Sequence, residues 1–224
     1  MENTWQPLLL SLKLSVITTL LLCVIGVPIA YWLSKSNSRL KPFWESLISL
    51  PLVLPPSVLG FYMLLAFSPT SFAGTFLKEH LGLRLIFSFE GLVLASVLYS
   101  LPFMVHPVQS GFQNLPLSLK EAAYTLGLSP FKTFLKILLP NIKPSLLTGI
   151  VLSFAHTIGE FGVVLMIGGS IPGVTKVASI AIYEEVDSMN YEEANFYARV
   201  LLLTSFSILF ALFLFNKKHK GSIL

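Results

Sequence analysis

His156 and Glu160 stand four residues apart inside an apolar run, a spacing that places two side chains on one face of a helix. An imidazole and a carboxylate so placed can form a gate pair, pass a proton, or supply two ligands to a metal. Two ligands without a third are a poor metal site, and ionisable groups in an apolar run are costly enough to be functional by default. An ionised Glu160 would repel an anion, so a structural or gating role is expected for it. A second constellation is Pro55-Pro56-Ser57, in the middle of another apolar run. Tandem prolines remove backbone donors and break a helix. At membrane depth such a break needs protein or water around it, and the freed helix ends can face a substrate. A packed kink without a ligand fits the same residues. The Ser57 hydroxyl can serve an anion or bond back to its own helix. Other chemistry is missing. No G-x-x-x-x-G-K-[ST] phosphate loop occurs, Gly168-Gly169 is a lone pair, and neither a zincin motif nor a nucleophile constellation supports a membrane enzyme.

The elements that must hold these residues are membrane spans. The 224-residue chain is 54% hydrophobic and only 12% charged, against about 25% charged in a soluble domain. A span needs roughly 20 mostly apolar residues, and five stretches approach this: 8–33, 43–67, 85–105, 145–167 and 196–215. The third is interrupted by Glu90 and Pro102. The net charge of +4 comes from basic residues scattered between apolar runs, which points to membrane orientation and away from nucleic acid. Lys35, Arg39 and Lys41 follow the first span. Lys120, Lys132, Lys136 and Lys143 precede the fourth, and Lys217, Lys218 and Lys220 end the chain. These segments share one side, which the positive-inside rule makes cytoplasmic. The N-terminus is then outside and the C-terminus inside. The opposite side carries Glu184, Glu185, Asp187, Glu192 and Glu193, read as a solvated loop and a possible contact for an outside partner. The opening MENTWQP lacks the positive region of a cleaved signal, so the first run is expected to remain a span. Cys23 is the sole cysteine and forms no intrachain disulfide. Lys13 is expected to snorkel outward, and His106 to be interfacial. No repeat or linker divides the chain, so residues 1–224 are expected to form one domain, an all-α polytopic bundle. Five helices close a pore poorly, so a dimer is expected.

Between the third and fourth spans, residues 121–140 read EAAYTLGLSPFKTFLKILLP. Asn114 and Pro116 can open a short helix, and Gly127 can stop it in the left-handed conformation. Ser129-Pro130 repeats the start signal. Phe131, Phe134, Leu135 and Leu138 then make an apolar stripe, which Pro140 closes. The result is a cytoplasmic helix-turn-helix over about 114–140. It can rest on lipid headgroups or, through the small residues Ala122 and Ala123, receive another protein.

The Glu121-Ala122-Ala123, Gly127 and Leu139-Pro140 pattern resembles the EAA coupling loop of ABC-transporter permease subunits. LPLVLPPSVLGFYMLL (50–65) and AHTIGEFGVVLMIGG (155–169) are similar to molybdate permeases, a likeness covering nearly the whole chain. The GEFG element, Gly159 to Gly162, also occurs in sulfate permeases. The resemblance implies a transport subunit, not an enzyme, in a bacterial cytoplasmic membrane. It implies a homodimer with two ABC ATPase subunits below, which would bind the ATP and Mg that this chain does not, and a molybdate-binding protein outside. Glu121, Ala122, Ala123, Gly127 and Pro140 would dock the ATPase. Pro55, Pro56, Ser57, His156, Gly159, Glu160 and Gly162 are candidates for the translocation path or its gate. The expected activity is ATP-driven molybdate import by alternating access. Sulfate or tungstate import by the same architecture is the near alternative, and a proton-coupled secondary transporter using His156 and Glu160 the distant one.

Overall fold

Long apolar runs allow helices and little else, because every backbone polar group in a bilayer must be satisfied within the protein. The computed structural model describes the backbone of residues 4–220 and the side chains of residues 4–214. The Lys217, Lys218 and Lys220 side chains lie outside the described residues. The described chain is helical throughout: α1 (Gln6–Lys35), α2 (Lys41–Val53), α3 (Pro56–Ala66), α4 (Phe72–Leu81), α5 (Phe89–Gln113), α6 (Leu117–Thr125), α7 (Pro130–Thr133), a π-helical turn (Phe134–Leu138), α8 (Leu139–Asn141), α9 (Lys143–Ile158), α10 (Gly162–Gly168), α11 (Ala178–Asp187) and α12 (Tyr191–Lys220).

Among the described residues three helices are long and apolar enough to cross a membrane, α1, α5 and the Tyr191–Leu214 part of α12. Two bent pairs raise the number to five: α2 with α3 at 111°, and residues 130–141 with α9 at 77°. Two expected spans therefore differ from simple rods. The second turns sharply at Leu54-Pro55. The fourth is divided, since α9 stops at Ile158 and α10 resumes at Gly162. The third is the reverse case and is continuous. Glu90 falls in the first turn of α5, where a negative charge is favoured by the exposed N–H groups. Pro102 and Pro107 lie inside the helix without ending it, as neighbouring helices permit in membrane proteins.

Two cores order the bundle. Leu33 of α1, Phe112 of α5, and Leu138 and Ile142 beside α8 share one. Tyr31 packs edge-on against Phe112 and Phe134, with ring centroids 5.1 and 4.9 Å away. Leu10 and Leu14 of α1, Leu92 of α5, Val163 and Ile167 of α10, and Ile180 of α11 share the other. The start of α1 thus lies with the start of α5, and the end with the end, so these helices run parallel and α9–α10 runs back between the two cores. Trp5 against Phe196, centroids 5.3 Å apart, sets the start of α12 at the first end too. Midway, Gly26 and Gly149 let α1 and α9 close on Met104 of α5: a Cβ on either would meet Met104 at 2.8 or 3.1 Å. Small residues at such crossings are how membrane helices gain packing.

Candidate functional site

The coupling element hangs from the Phe112 end of the bundle. Asn114 does not open its first helix as expected. It caps α5, with its N–H on the Ser110 carbonyl at 3.1 Å, and Pro116 is the residue before α6. Gly127 behaves as expected, with φ +73°. The Leu128 N–H reaches the Ala123 carbonyl at 3.1 Å and the Gly127 N–H the Tyr124 carbonyl at 3.0 Å, the paired bonds of a Schellman stop. Ser129 then caps α7, accepting from the Lys132 N–H at 3.4 Å.

The apolar stripe expected beyond Pro130 is split. Phe134 and Leu138 enter the core, whereas Phe131 is 71% and Leu135 43% exposed. The π-turn over Phe134–Leu138 adds a residue to the turn and shifts the register, so a 3.6-residue stripe cannot persist. Pro140 does not close the element either. It lies inside α8, at the start of a helix where its missing N–H costs nothing, and the bend comes at Ile142. Glu121, Ala122 and Gly127 are exposed, while Ala123 is buried in its own chain. Leu117 and Leu126, 70% and 80% exposed, flank them.

The second candidate site is a cavity of about 590 Å³ where the two interrupted spans meet, lined by Pro56, Ser57, Tyr99, His156, Glu160 and Gly162 among others. Pro55 sits at its edge as the residue before α3, which Pro56 opens. The Val58 N–H folds back onto the Pro55 carbonyl at 2.9 Å. The Ser57 N–H and hydroxyl have no partner among the described residues. Gly162 and Pro56 bring the two breaks into contact, for a Cβ on Gly162 would lie 2.6 Å from the Pro56 Cβ. Gly159 follows α9 as its cap.

His156 and Glu160 do not pair. Counting four residues assumes an unbroken helix, and α9 ends between them at Ile158. The His156 Nδ1 instead shares a hydrogen bond with Ser100 Oγ at 2.9 Å. Its ring stacks on Phe103, centroids 4.0 Å apart, and tilts against Tyr99. Glu160 is 6% exposed. Its Oε2 accepts a long bond from Ser96 Oγ at 3.5 Å, and its backbone carbonyl accepts from Ser179 Oγ at 2.5 Å. Its Oε1 has no partner among the described residues. Glu160 thus ties the break to α5 and α11. Sequence reasoning missed Ser96, Tyr99, Ser100, Phe103 and Ser179. Ser96 and Ser100 carried a usable signal, being hydroxyls one turn apart in an apolar run. Among the described residues no three His, Cys, Asp or Glu side chains gather as a metal would need.

The remaining singled-out groups are accounted for locally. Lys13 is exposed and lies over the Phe89 ring, 4.5 Å from its centroid, a cation–π contact. His106 Nε2 is 3.1 Å from Ser49 Oγ. The acidic segment is largely helical. Glu184 pairs with Lys176 at 2.9 Å, and Glu192 and Glu193 fall in the first turn of α12. Partial burial alone would raise the Glu184 carboxyl, but its hydrogen bonding and the Lys176 charge together outweigh this and hold the group below the usual carboxylate range.

The family model described as binding-protein-dependent transport system inner membrane component matches residues 24–218. The chain is 46% identical over 213 residues, covering 95% of it and 94% of the relative, to the molybdenum transport system permease protein ModB of Azotobacter vinelandii. It is 31% identical to the probable sulfate transport system permease protein cysT of Prototheca wickerhamii, over 94% of this chain and 87% of that one. A chain from an inward-facing structure of the MetNI methionine ABC transporter has a TM-score of 0.68 at 16% identity, covering 96% of this chain and 94% of that one. This last likeness is one of fold.

Proposed function

Because the chain belongs to the binding-protein-dependent transport system inner membrane component family, we propose that it is the molybdate-conducting subunit of an ATP-driven importer. As a family member it is a multi-pass inner-membrane transport component. Two copies form the passage, with Glu121, Ala122, Gly127 and Pro140 offering the docking face to two ATPase subunits and Ala123 packed beneath that face. ATP and Mg belong to those subunits, and a molybdate-binding protein delivers the anion from outside. The N-terminus faces outside and the coupling element faces the cytoplasm, as the basic residues near Phe112 favour. Residues 1–224 act as one domain.

The observation that carries this reading is kinship to the Azotobacter molybdenum permease across nearly the whole chain. The geometry supports it. The cavity between the broken spans offers the Ser57 hydroxyl and amide, and the His156 nitrogen that Ser100 leaves free, to the oxygens of a tetrahedral oxyanion. Freed helix ends at mid-membrane are where transporters hold substrates. Glu160 serves as a tie between elements, since an ionised carboxylate facing a dianion would repel it. Alternating access then needs only a hinge: movement at the exposed Leu126–Phe131 turn passes through the aromatic core to α5 and α9, and the Pro56–Gly162 contact slides.

Uptake of labelled molybdate by vesicles holding this chain, its ATPase and the binding protein tests the reading. Saturable uptake that excess sulfate does not suppress is the expected result. Suppression by sulfate at equal concentration would transfer the assignment to the second reading, sulfate, which the cysT relative favours. Uptake abolished by an uncoupler yet indifferent to ATP would replace the class altogether with proton coupling.

A further inference from the structure

A groove of about 610 Å³ lies between α1, α2 and α5, closed at its inner end by Leu59 of α3, and every residue lining it is apolar. Trp32 and Trp44 stand at its mouth with ring centroids 6.1 Å apart, and Leu47, Leu54, Leu98 and Leu101 line its length. Trp44 and Leu54 are ten residues apart. At about 1.5 Å per residue the groove runs roughly 15 Å along the helix, about half of a hydrocarbon core near 30 Å thick. That is the depth of one leaflet, and a partner's transmembrane helix would need a groove crossing both. Leu47 and Leu50 are 46% and 44% exposed, so the groove is open along its side.

The mouth carries a positive excess, Lys35, Arg39 and Lys41 against Glu45. Lys35 lies one turn beyond Trp32, Lys41 lies three residues before Trp44, and Arg39 is in the short link between them. Lys41 is 3.9 Å from Glu45. Lys35 and Arg39 are exposed and have no ion-pair partner among the described residues. Tryptophans at headgroup depth above an apolar slot, with basic residues beyond them, are the elements of an anionic lipid site. The mouth is at the coupling end, because Tyr31 beside it packs on Phe112 and Phe134.

We propose that this groove holds one acyl chain of an anionic phospholipid from the leaflet at the coupling end, with its phosphate on Lys35 and Arg39. The lipid fills the apolar space between α2 and the body of the bundle. It braces the first half of the broken span that leads to Pro55 and Pro56, so uptake depends on anionic lipid as well as on the ATPase.

The test uses the full purified chain, delipidated and then titrated with phosphatidylglycerol or phosphatidylcholine, with bound lipid read by native mass spectrometry. Wild type retains phosphatidylglycerol selectively. Losing about 1 kcal/mol per basic residue, the Lys35→Gln/Arg39→Gln variant binds it roughly thirty-fold more weakly. Leu98→Trp, which fills the slot, excludes it. The charge variant lies at the exposed end of α1 and in the link after it, so it decides the matter even where Leu98→Trp does not fold. Equal retention of both lipids, or unchanged retention in the charge variant, overturns the proposal. So does a disulfide between copies of Leu47→Cys in a Cys23→Ser background, which would make the groove a contact between two permeases.

Discussion

At the coupling end Tyr31, Phe112 and Phe134 meet ring to ring over Leu33, Leu138 and Ile142, with no carboxylate, imidazole or basic side chain among the described residues of the cluster. Half a membrane away the packed residues are Ser96, Ser100, His156, Thr157 and Glu160, and the bonds among them are single hydroxyl contacts of 2.9 to 3.5 Å. The first region is close-packed and transmits displacement as a body. The second is interrupted by Pro55, Pro56, Gly159 and Gly162, holds a cavity, and leaves Glu160 Oε1 without a partner among the described residues. In the proposed function, chemistry and compliance thus sit together, away from the part that would pass on force. Damage to the aromatic core should cost stability and coupling, whereas damage at the breaks should cost transport while association with the ATPase is kept.

The largest effect is expected in the aromatic core. Phe112 is fully buried, and Phe112→Ala removes a ring shared by Tyr31 and Phe134, at a cost of about 3–5 kcal/mol. Thermal unfolding in detergent reads this, and ATPase copurification should fall with it. At the breaks, Gly162→Ala would drive a Cβ to within 2.6 Å of Pro56, where neither group can rotate away. Overpacking of this kind costs roughly 1–3 kcal/mol. Uptake should be lost while the ATPase still copurifies. Loss of copurification too would erase the contrast between the two regions. Gly127 sharpens the comparison from below. A Cβ there meets nothing within 4 Å, so Gly127→Val suffers only from the left-handed backbone, by about 1–2 kcal/mol. Gly127→Asn, which tolerates that conformation, should keep association with the ATPase where Val weakens it.

The smallest effect belongs to the outer end. Against partial burial, Glu184 is held below its ordinary value of 4.5 by hydrogen bonding together with the Lys176 charge. A depressed carboxyl contributes stability that is present above the unfolded value and lost as pH falls through the folded one. The contact should therefore hold at neutral pH and fade below about pH 4.5. Since the pair is partly exposed, the loss should stay under about 1 kcal/mol. Comparing the melting of wild type and Lys176→Met at pH 7 and pH 4 reads it: the difference should shrink in acid.

Much of this arrangement was legible from residue order. Apolar runs gave the spans, and Gly127 with Ser129-Pro130 gave both the stop and the restart of the coupling element, because caps and glycines act locally. What escaped depends on where helices end. His156 and Glu160 share a face only if α9 continues, and Gly159 stops it. The stripe at Phe131 to Leu138 holds only for a 3.6-residue turn, which the π-turn breaks. Pro55-Pro56 announced a break but not its 111° angle, which is set by packing against Gly162 more than a hundred residues away. Glu90 and Pro102 looked like interruptions of a span because a charge and a proline were weighed without their positions along α5.

The central claim is that this chain conducts the anion but is driven from outside itself, through the turn at Gly127. The most direct measurement is labelled molybdate accumulation in vesicles with the binding protein present, with and without the ATPase subunit and ATP. Accumulation against the gradient only when both are supplied, and its loss with Gly127→Val, is the predicted result. Accumulation by the permease with no nucleotide-hydrolysing partner would contradict the account.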